Sequence, residues 1–366
     1  MYRPTYAEIS LQNIRHNVKE LTKDLGPDTR VMAVVKADGY GHGSVEVAQA
    51  AIKAKATDLA VATVEEAIEL RKNNIKEPIL ILGFVPISSV EALIKYKLTA
   101  TIYDFKIAKE LNKRAKTPLP VHVKIDTGMH RLGVPWHKAK DFLLRLKELE
   151  NIRVEGIFTH FSNADDTTSE YPQTQRQRFL QLVENLPYKI PIKHISNSAG
   201  VIEKLSCMPC NMIRLGIVLY GLYPSEHQKG KVNLKPAMTI KTEVASIKEV
   251  EQGAPISYGL TYKTSKATKI ATLPIGYADG YYRSLSNKAW VEIKGHKAPV
   301  LGTVCMDYIM VDVSEIDDVC VGEEVTVIGG LSENCISVDT IAKMVNTINY
   351  EVVCSISKRV PRIYKN

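Results

Sequence analysis

The chain has 366 residues, of which 45% are hydrophobic and 24% are charged, fractions that are average for globular proteins and exclude a disordered or fibrous chain. Its 48 Lys and Arg residues against 40 Asp and Glu give a net charge of +8, but acidic residues are interleaved with the basic ones, so the charge predicts no nucleic-acid site. No uncharged apolar run approaches the roughly 18–20 residues of a membrane span, and the opening residues lack the apolar core of a signal peptide, so we expect a cytoplasmic protein.

The first two thirds of the chain alternate short apolar runs with amphipathic segments. A helix is predicted after Ser10, a suitable N-cap, because apolar residues recur on one face at Leu11, Ile14, Val18 and Leu21. Apolar runs then predict eight strands, at residues 31–35, 58–62, 78–82, 99–103, 121–125, 154–159, 192–196 and 212–215. Strands alternating with helices are typical of a parallel sheet, and eight such units within about 220 residues predict a (β/α)8 barrel.

Beyond Pro236 the pattern changes to short, β-branched segments bounded by turns. They lie at residues 239–250, 269–274, 290–293, 298–301, 309–313 and 324–328 and indicate an all-β arrangement. The sequence therefore predicts an α/β protein with an N-terminal TIM-like (β/α)8 barrel over residues 1–236 and a C-terminal, mostly-β domain over residues 237–366. The first nine residues are candidates for pairing with the β domain.

Six cysteines are too few for a secreted disulfide framework. Cys207 and Cys210 form a lone CxxC pair, whereas a zinc site would need a second pair at matching spacing. The intervening Met-Pro favours a loop over the helix start of a redox motif. We therefore predict structural thiols and no metal site.

Barrel enzymes place their active sites at the carboxyl ends of the strands. In this sequence polar, ionisable and glycine residues gather where the predicted strands end, while the strand interiors stay apolar. They include Lys36, Gly83 after Leu82, Lys124, Asp126, His160, Asn197, Ser198, Arg214 and Gly216. The pattern predicts a functional site at this rim of the barrel.

Lys36 ends the first predicted strand and is followed by ADGYGHG. Partial burial lowers the pKa of a lysine amine and makes it a better nucleophile, suited to form a Schiff base with a carbonyl compound. The glycines at 39, 41 and 43 are expected to let backbone N–H groups approach an anion. The alternative is a structural lysine whose ammonium group reaches solvent at the rim.

Arg214 ends the eighth predicted strand. The loops after strands seven and eight frequently hold a phosphate in barrels, and here they offer Ser198 and the backbone of Gly216 and Ile217. The alternative for Arg214 is a structural ion pair.

Three other residues have ordinary structural interpretations when taken alone. Tyr258, in the second domain, would be a half-buried sheet tyrosine. His160 would be a hydrogen-bonded structural histidine. Asp126 would either cap a turn or orient Arg131.

Taken together, these segments resemble the alanine racemase family, pyridoxal-phosphate (PLP) enzymes of fold type III, over nearly the whole chain. The motifs occur in the family's order as AVVKADGYGHG, KIDTGMHRLG, GIFTHF, SNSAG, IRLGIVLYGLYP, ISYGLTY, LPIGYADG, VCMD and NYEV. The lysine motif alone is shared with other PLP barrel proteins. The SYG and CMD motifs, in register with the rest, make the resemblance specific.

The resemblance implies an enzyme that interconverts L- and D-alanine and supplies D-alanine for peptidoglycan. Lys36 would bind PLP as a Schiff base and act as the base on the D side of the substrate, with Tyr258 as the base on the L side. His160 and Arg214 would supply the cationic surroundings that lower the pKa of Tyr258. Arg214 would face the pyridine nitrogen and, since arginine only donates, leave it unprotonated and suppress transamination.

The resemblance also implies which residues hold the ligands. The phosphate would be bound by Tyr40, Ser198, Gly216, Ile217 and Tyr350, and further contacts to the cofactor would come from Leu82, His160 and Asn197. Arg131 would contact the phenolic oxygen of PLP and, with the backbone of Met306, the substrate carboxylate. A carbamate on Lys124 would orient Arg131.

A homodimer with composite active sites is implied as well. In this family the residues matching Tyr258, Met306 and Asp307 reach the barrel of a second subunit. The entrance to the site would be lined by Tyr277, Tyr350, Asp165 and Asp166.

Two positions depart from the commonest family pattern. Thr303 stands where arginine is frequent, and Ser162 stands where alanine is usual. Neither is expected to touch a base, so the departures put the substrate preference in doubt and leave the reaction unchanged.

Three alternatives stay open. A racemase for serine, lysine or another amino acid would share every catalytic residue. A fold-type-III decarboxylase would carry a carboxylate where this chain has Arg214. A non-catalytic PLP-binding protein would keep the barrel lysine but lack the β domain and Tyr258.

Overall fold

The computed structural model describes residues 2–166, 168–205, 209–330 and 332–366, and these residues form two compact units. The barrel unit consists of the described residues of Gln12–Gly39 and Gly43–Lys235. The β unit consists of those of Met1–Leu11, Tyr40–His42 and Pro236–Asn366. Two early segments, Met1–Leu11 and Tyr40–His42, group with the β unit. The predicted division into domains of residues 1–236 and 237–366 stays a proposal.

Eight parallel strands form the barrel, at Arg30–Val34, Asp58–Val61, Ile79–Ile81, Thr99–Ile102, Leu119–Asp126, Ile152–Phe158, Ile192–His194 and Met212–Leu215. Each pairs with the next along the chain, and the first pairs with the eighth, which closes the sheet. A short strand, Val134–Pro135, adds to the end of the fifth. All eight predicted strands are confirmed. The burial of their Val, Ile and Leu side chains is typical of a parallel sheet covered on both faces.

Helices separate most of the barrel strands. They span Leu11–Thr22, Ser44–Lys53, Val64–Lys72, Val90–Lys95, Phe105–Arg114, Ala139–Lys147, Tyr171–Glu184 and Ser198–Ile202, with 3-10 turns at Ile87–Ser89, Trp136–Lys138, Ile217–Tyr220 and Glu226–Gln228. Local sequence sets where they start: Thr63 and Glu66, for example, form a reciprocal capping box. The predicted first helix begins after Ser10 and buries Ile14, Val18 and Leu21.

A nine-stranded sheet forms the centre of the β unit. Its order is Ser246–Val250, Thr268–Leu273, Ile309–Asp312, His296–Leu301, Trp290–Ile293, Glu324–Ile328, Met238–Glu243, Tyr6–Ser10 and Arg362–Lys365. The N-terminal strand is antiparallel to Met238–Glu243 and parallel to Arg362–Lys365. A hairpin pairs Pro255–Ile256 with Tyr262–Lys263, and 3-10 turns lie at Tyr258–Leu260, Tyr277–Asp279 and Arg283–Leu285.

Two features of the β unit differ from the prediction. The run 239–250 is two strands, because the amides of Val244 and Ala245 donate to different neighbouring segments of the chain. The all-β pattern also missed two helices, Val338–Met344 and Asn349–Ser355. The first is capped by Ser337 and buries Val338, Ile341 and Ala342 at helical spacing. Among the helices of the described residues, none combines the length and hydropathy that a membrane crossing requires.

Candidate active site

Lys36 follows the first barrel strand by two residues, at the carboxyl-terminal rim, and is half-buried. The next three residues, Ala37, Asp38 and Gly39, are left-handed, with φ of 52°, 52° and 59°. Two of them carry side chains, for which this conformation is uncommon. The Asp38 carboxylate accepts from the Ser44 amide at 3.0 Å and so holds the turn. The turn fixes the direction in which the chain leaves Lys36.

Two of the three glycines after Lys36 do not leave their amides open to an anion. The Gly39 amide donates to the Val35 oxygen, and the Gly43 amide donates to the Asp38 oxygen, both at 2.9 Å. The prediction that these two amides approach an anion is therefore wrong.

Arg214 is buried in the eighth strand, where it is 2% exposed. Its Nη1 donates to His194 Nδ1 at 2.8 Å, and its Nη2 donates to His160 Nδ1 at 3.1 Å. Nη2 also lies 2.9 Å from the backbone oxygens of Thr159 and Ile195. Among the described residues no carboxylate pairs with Arg214, so the alternative of a structural ion pair is wrong. No described group accepts a hydrogen bond from Arg214 Nε. Burial lowers the pKa of Arg214 to about 9, so the group keeps its proton at neutral pH.

Arg214 fixes the tautomers of two buried histidines, since arginine cannot accept a hydrogen bond. His194 accepts at Nδ1 and therefore carries its proton on Nε2, which lies 3.0 Å from His122 Nδ1. His122 then accepts at Nδ1 and carries its proton on Nε2. Burial and the charge of Arg214 lower the pKa of His194 well below its usual value. Burial, with Arg30 and Arg214, lowers the pKa of His122 to about 3, so both rings are neutral.

His160 is also neutral, so within the expected network of His160 and Arg214 the two residues contribute differently. Burial, followed by the charges of Arg214 and Lys124, lowers the pKa of His160 well below its usual value. Its Nδ1 accepts from Arg214, which leaves the proton on Nε2. Asn197 Nδ2, 3.4 Å away, is itself a donor, to the Phe161 oxygen, and so does not accept that proton. The positive charge of this pair therefore comes from Arg214, and His160 offers a polarised N–H group.

Lys124 belongs to the same cluster and is buried in the fifth strand, with its Nζ 5.2 Å from the centre of the Phe158 ring. Burial, followed by the charges of Arg214 and Arg131, lowers its pKa to about 7, and Lys36 contributes in the same direction. Arg131 and Lys36 are thus close enough to Lys124 to repel its charged form. The Arg131 side chain is exposed.

Asp126 caps the turn that follows the fifth strand. Its carboxylate accepts from the amides of Gly128 and His130 and lies 2.9 Å from His130 Nδ1. Among the described hydrogen bonds none joins Asp126 to Arg131. The structure therefore supports the role of Asp126 as a turn cap over a role in orienting Arg131.

The ends of the seventh and eighth strands are joined at Ser198. The Gly216 amide donates to Ser198 Oγ at 3.0 Å. The Asn197 side chain caps the helix that begins at Ser198, and Ile217 opens a 3-10 turn after Gly216. Leu82 is half-buried just past the third strand, and its amide donates to the Val61 oxygen.

Tyr258 lies in the β unit and is 71% exposed, so it is not the half-buried sheet tyrosine of the structural interpretation. Its backbone oxygen accepts from Thr303 Oγ1 at 2.7 Å. Thr303 is buried and also lies 3.2 Å from Thr261 Oγ1. The expectation that Thr303 touches no candidate base is therefore wrong. Ser162, the other departure, bonds to Gln175 in the barrel unit.

Three segments of the β unit, residues 257–260, 276–278 and 303–308, are bonded to one another. The Tyr277 amide donates to the Cys305 oxygen, and the Cys305 amide donates to the Tyr308 oxygen. The bond between Thr303 and Tyr258 completes the connection. The large exposed side chains of these segments, termed here the exposed patch, are Tyr258, Leu260, Tyr277, Met306 and Tyr308.

Tyr40 and Tyr350 lie together in the β unit, with ring centres 6.1 Å apart. Gly41 follows with φ of 78°, and a Cβ atom there would lie 2.2 Å from the Val353 oxygen, so only glycine fits this approach. Elsewhere in the β unit, the Asp307 carboxylate accepts from Arg359 Nη2 at 2.7 Å.

The acids expected at the entrance are held by local bonds in the barrel unit. Asp166 accepts from the amide and the hydroxyl of Thr168, and the backbone oxygen of Asp165 accepts from Ser225 Oγ. Cys207 of the CxxC pair lies outside the described residues. Among the residues that are described, no three His, Cys, Asp or Glu side chains are grouped as a metal site requires.

Known protein families match both units. The model for the alanine racemase N-terminal domain matches residues 9–224, and that for the alanine racemase C-terminal domain matches residues 237–364. The chain belongs to the alanine racemase family.

Individual alanine racemases are similar over almost their full length. The alanine racemase of Halothermothrix orenii is 46% identical over 100% of this chain and 97% of its own. The alanine racemase structure from Clostridium difficile 630 is 44% identical, with a TM-score of 0.95 over 100% of this chain and 96% of that chain. The Bacillus anthracis alanine racemase, solved with bound L-Ala-P, is 35% identical, with a TM-score of 0.93 over the same shares. The predicted fold class is confirmed.

Sequence reasoning missed two residues of the buried network in this member of the alanine racemase family, His122 and His194. Side chains two apart in a strand share a face, so His122 lies on the face of Lys124. That relation, applied to the fifth strand, would have identified His122. His194 carries no comparable signal, because it became visible only through its bonds to Arg214 and His122.

Proposed function

We propose that this chain interconverts L-alanine and D-alanine with PLP as its cofactor. The observation that carries the proposal is Arg214, a buried guanidinium held by His194 and His160, with its Nε left to donate. An arginine in this position donates to a pyridine nitrogen but does not protonate it. This supports a racemase over a fold-type-III decarboxylase, which would carry a carboxylate there.

The family assigns a partner to each group of PLP. The phosphate would accept from the Ser198 hydroxyl, the Ile217 amide and the hydroxyls of Tyr40 and Tyr350. Gly216 would act indirectly, because its amide orients Ser198. When bound, PLP withdraws electrons from the Cα atom of the amino acid joined to it and makes the Cα–H acidic.

Lys36 and Tyr258 are the proposed bases on the two faces of the substrate. The Lys36 amine would exchange the proton on the D side, and the Tyr258 phenol would exchange it on the L side. A tyrosine has a reference pKa of about 10, so a hydrogen-bond donor is needed to stabilise its phenolate near neutral pH. The Nε2–H of His160, polarised by Arg214, supplies one. Arg131 and the Met306 amide would bind the substrate carboxylate and keep Cα between the two bases.

We propose that two copies of the chain form a homodimer with composite active sites. The exposed patch supports this, because a set of large apolar side chains left in solvent marks a protein interface. Tyr258 and Met306 belong to the patch, and Asp307 lies between Met306 and Tyr308. Each barrel would then receive its second base from the other copy.

The remaining assignments rest on the family. Leu82 and Asn197 would contact the cofactor, and the entrance would be lined by Tyr277, Tyr350, Asp165 and Asp166. We further propose a cytoplasmic location and a role in supplying D-alanine for peptidoglycan.

The decisive experiment is proton NMR of L-alanine incubated with the purified protein and PLP in D₂O, with chiral analysis of the same sample. Loss of the α-proton signal together with the appearance of D-alanine is the expected result. A Lys36→Ala variant is the control and should show neither change.

The alternatives give different outcomes. A racemase for another amino acid would leave alanine unchanged and exchange the α-proton of serine or lysine. A decarboxylase would release an amine and CO₂. A PLP carrier would bind the cofactor and leave every amino acid unchanged, and that result would overturn the proposal.

A further inference from the structure

A cavity of about 340 Å³ lies at the amino-terminal end of the barrel strands, the end opposite the rim that carries Lys36. Its wall includes Arg30, Met32, Asp58, Leu80, Thr99 and His122. Arg30, Asp58 and Thr99 each begin a strand, which places the cavity inside the lower barrel. A space of this size belongs to the range that small organic ligands occupy in proteins.

His122 supplies an unused donor to this cavity. The residue is 4% exposed, and its Nδ1 accepts from His194, so its proton is on Nε2. Among the described residues no group accepts from that N–H. His122 Nε2 is not among the fully enclosed polar atoms that lack a partner, so the N–H is accessible from the cavity and a bound acceptor can reach it.

The direction of the hydrogen-bond chain strengthens that donor. Arg214 donates to His194, and His194 donates to His122. Hydrogen bonds in series polarise one another, and this series begins at a fixed positive charge. The cavity therefore meets an N–H group with more positive character than an isolated neutral imidazole.

The two carboxylates at the cavity wall are each paired with an arginine, which leaves one nitrogen of Arg30 without an acceptor among the described residues. The Asp58 carboxylate is used by Arg30, whose Nε and Nη2 donate to it at 3.0 and 2.6 Å. The Glu155 carboxylate is paired with Arg153 at 2.6 Å. In the part of the chain that the structure describes, no group accepts from Arg30 Nη1. The side chain of Arg30 is 36% exposed, so the donor can be reached from solvent.

We propose that this cavity is a binding site for a small carboxylate with a compact apolar body. The carboxylate oxygens accept from His122 Nε2 and Arg30 Nη1, and the Thr99 hydroxyl is a further donor. The apolar body packs against Met32, Leu80 and the neighbouring prolines of the wall. Asp58 and Glu155 place two negative charges in the wall against the one positive charge on Arg30. The site therefore accepts a single carboxylate only where Arg30 and His122 donate to it, and it excludes a polyanion.

Benzoate is a suitable probe, because it combines one carboxylate with a rigid apolar ring. It is titrated into the PLP-loaded protein labelled with ¹⁵N-histidine, at saturating alanine to occupy the active site. We expect a saturable downfield shift of the His122 Nε2–H signal and a smaller shift at His194. The His122→Phe variant assigns the signal by its disappearance. A His122 signal that stays fixed while benzoate reaches high millimolar concentration overturns the proposal.

Calorimetry with variants tests the same site independently. His122→Phe keeps a ring but removes the donor and should weaken benzoate binding about tenfold or more. Leu80→Trp fills the cavity without touching the hydrogen-bond chain and should abolish binding. His16→Phe, a histidine change at the surface of the same unit, should leave it intact. Unchanged affinity in Leu80→Trp would place benzoate elsewhere and contradict the proposal, and if the variants do not fold, the wild-type NMR titration decides.

Discussion

The side chain of Thr303 holds the backbone of Tyr258, with Oγ1 donating to the Tyr258 oxygen at 2.7 Å. Because Thr303 is buried, this bond restrains an exposed segment from the interior of the β unit. The adjacent Ser257 has φ of 64°, so the segment is also held in an uncommon conformation. Thr303, which stands where the family frequently has arginine, thus helps to position the candidate base Tyr258.

Replacing Thr303 tests this restraint. Thr303→Val keeps the shape but removes the donor, and we expect kcat for alanine racemisation to fall about two- to tenfold, the value of one net hydrogen bond. KM and the PLP absorption spectrum should stay unchanged, because neither depends on Tyr258. Thr303→Ser restores the hydroxyl and should restore kcat. Equal loss in both variants would show that packing, and not the bond, is responsible.

Tyr258→Phe removes the proposed L-side base and keeps the ring. We expect racemisation to fall by about 10²- to 10⁴-fold, the usual contribution of a general acid or base, while PLP stays bound. Exchange of the α-proton of D-alanine with D₂O should persist, because Lys36 remains. Tyr262→Phe, a tyrosine in the neighbouring hairpin strand, is the matched control, and normal racemisation by Tyr258→Phe would refute the two-base assignment.

Arg214→Glu reverses the charge that faces the proposed pyridine nitrogen. A carboxylate there favours the protonated ring, a stronger electron sink, so we expect pyruvate formation by transamination to rise relative to racemisation. The measurement is the ratio of pyruvate to D-alanine per turnover. Thermal unfolding of the same sample reports the loss of the bonds to His194 and His160. An unchanged product ratio in a folded variant would contradict this account of Arg214.

Lys124 should carry a carbamate in the active protein. Its pKa of about 7 leaves a large neutral fraction at physiological pH, and the neutral amine attacks dissolved CO₂, forming an N–C bond and releasing a proton to water. The carbamate is anionic and suited to orient Arg131. Labelling with ¹³CO₂ should give one slow-exchanging carbamate resonance that disappears in Lys124→Met.

The pH dependence of that resonance has a fixed sign. The lowered pKa means that the amine becomes neutral as the pH rises through about 7, so the carbamate should form on the alkaline side and be lost on the acid side. Lys266, which is exposed and paired with Glu315, is the control and should give no stable signal. A resonance that grows on acidification would be incompatible with this assignment.

The ion pair between Arg3 and Asp279 should contribute strongly to the stability of the β unit. Two guanidinium nitrogens of Arg3 donate to the buried carboxylate at 2.5 and 2.6 Å. Arg359 Nε lies 3.6 Å from the same carboxylate and would partly replace Arg3, so Arg3→Ala should lower the free energy of unfolding by about 1–3 kcal/mol, less than the full cost of an unpaired buried charge. Urea unfolding measures this, and Lys266→Ala, which breaks an exposed pair, should change it by less than about 0.5 kcal/mol.

The barrel was predictable because its strands carry a simple signal. Short, fully apolar runs such as Ile79–Ile81 stand out between polar helices, and closure of the barrel follows from the number of strands. The helix Val338–Met344 was missed because its seven residues are too few to establish a helical period among β-branched neighbours. Helix propensity is overridden by context in segments of this length.

The candidate site was predictable only in part. Lys36 and Arg214 were visible because they are charged residues at the ends of apolar strands, where barrel enzymes place their active sites. The neutral state of His160 was not, since it depends on burial and on the nearby charge of Arg214, which only the fold brings together. Nor does spacing in the sequence show that Thr303 bonds to the backbone 45 residues earlier.

The pairing of Tyr6–Ser10 with Met238–Glu243 and Arg362–Lys365 has a consequence for biosynthesis. A ribosome releases the N-terminal strand long before either of its partners exists. The barrel strands can pair as they emerge, but the first strand of the β unit must wait in solution with both edges open. The nascent chain therefore carries an open strand edge, with the risk of aggregation that such an edge brings, until Arg362–Lys365 has been translated.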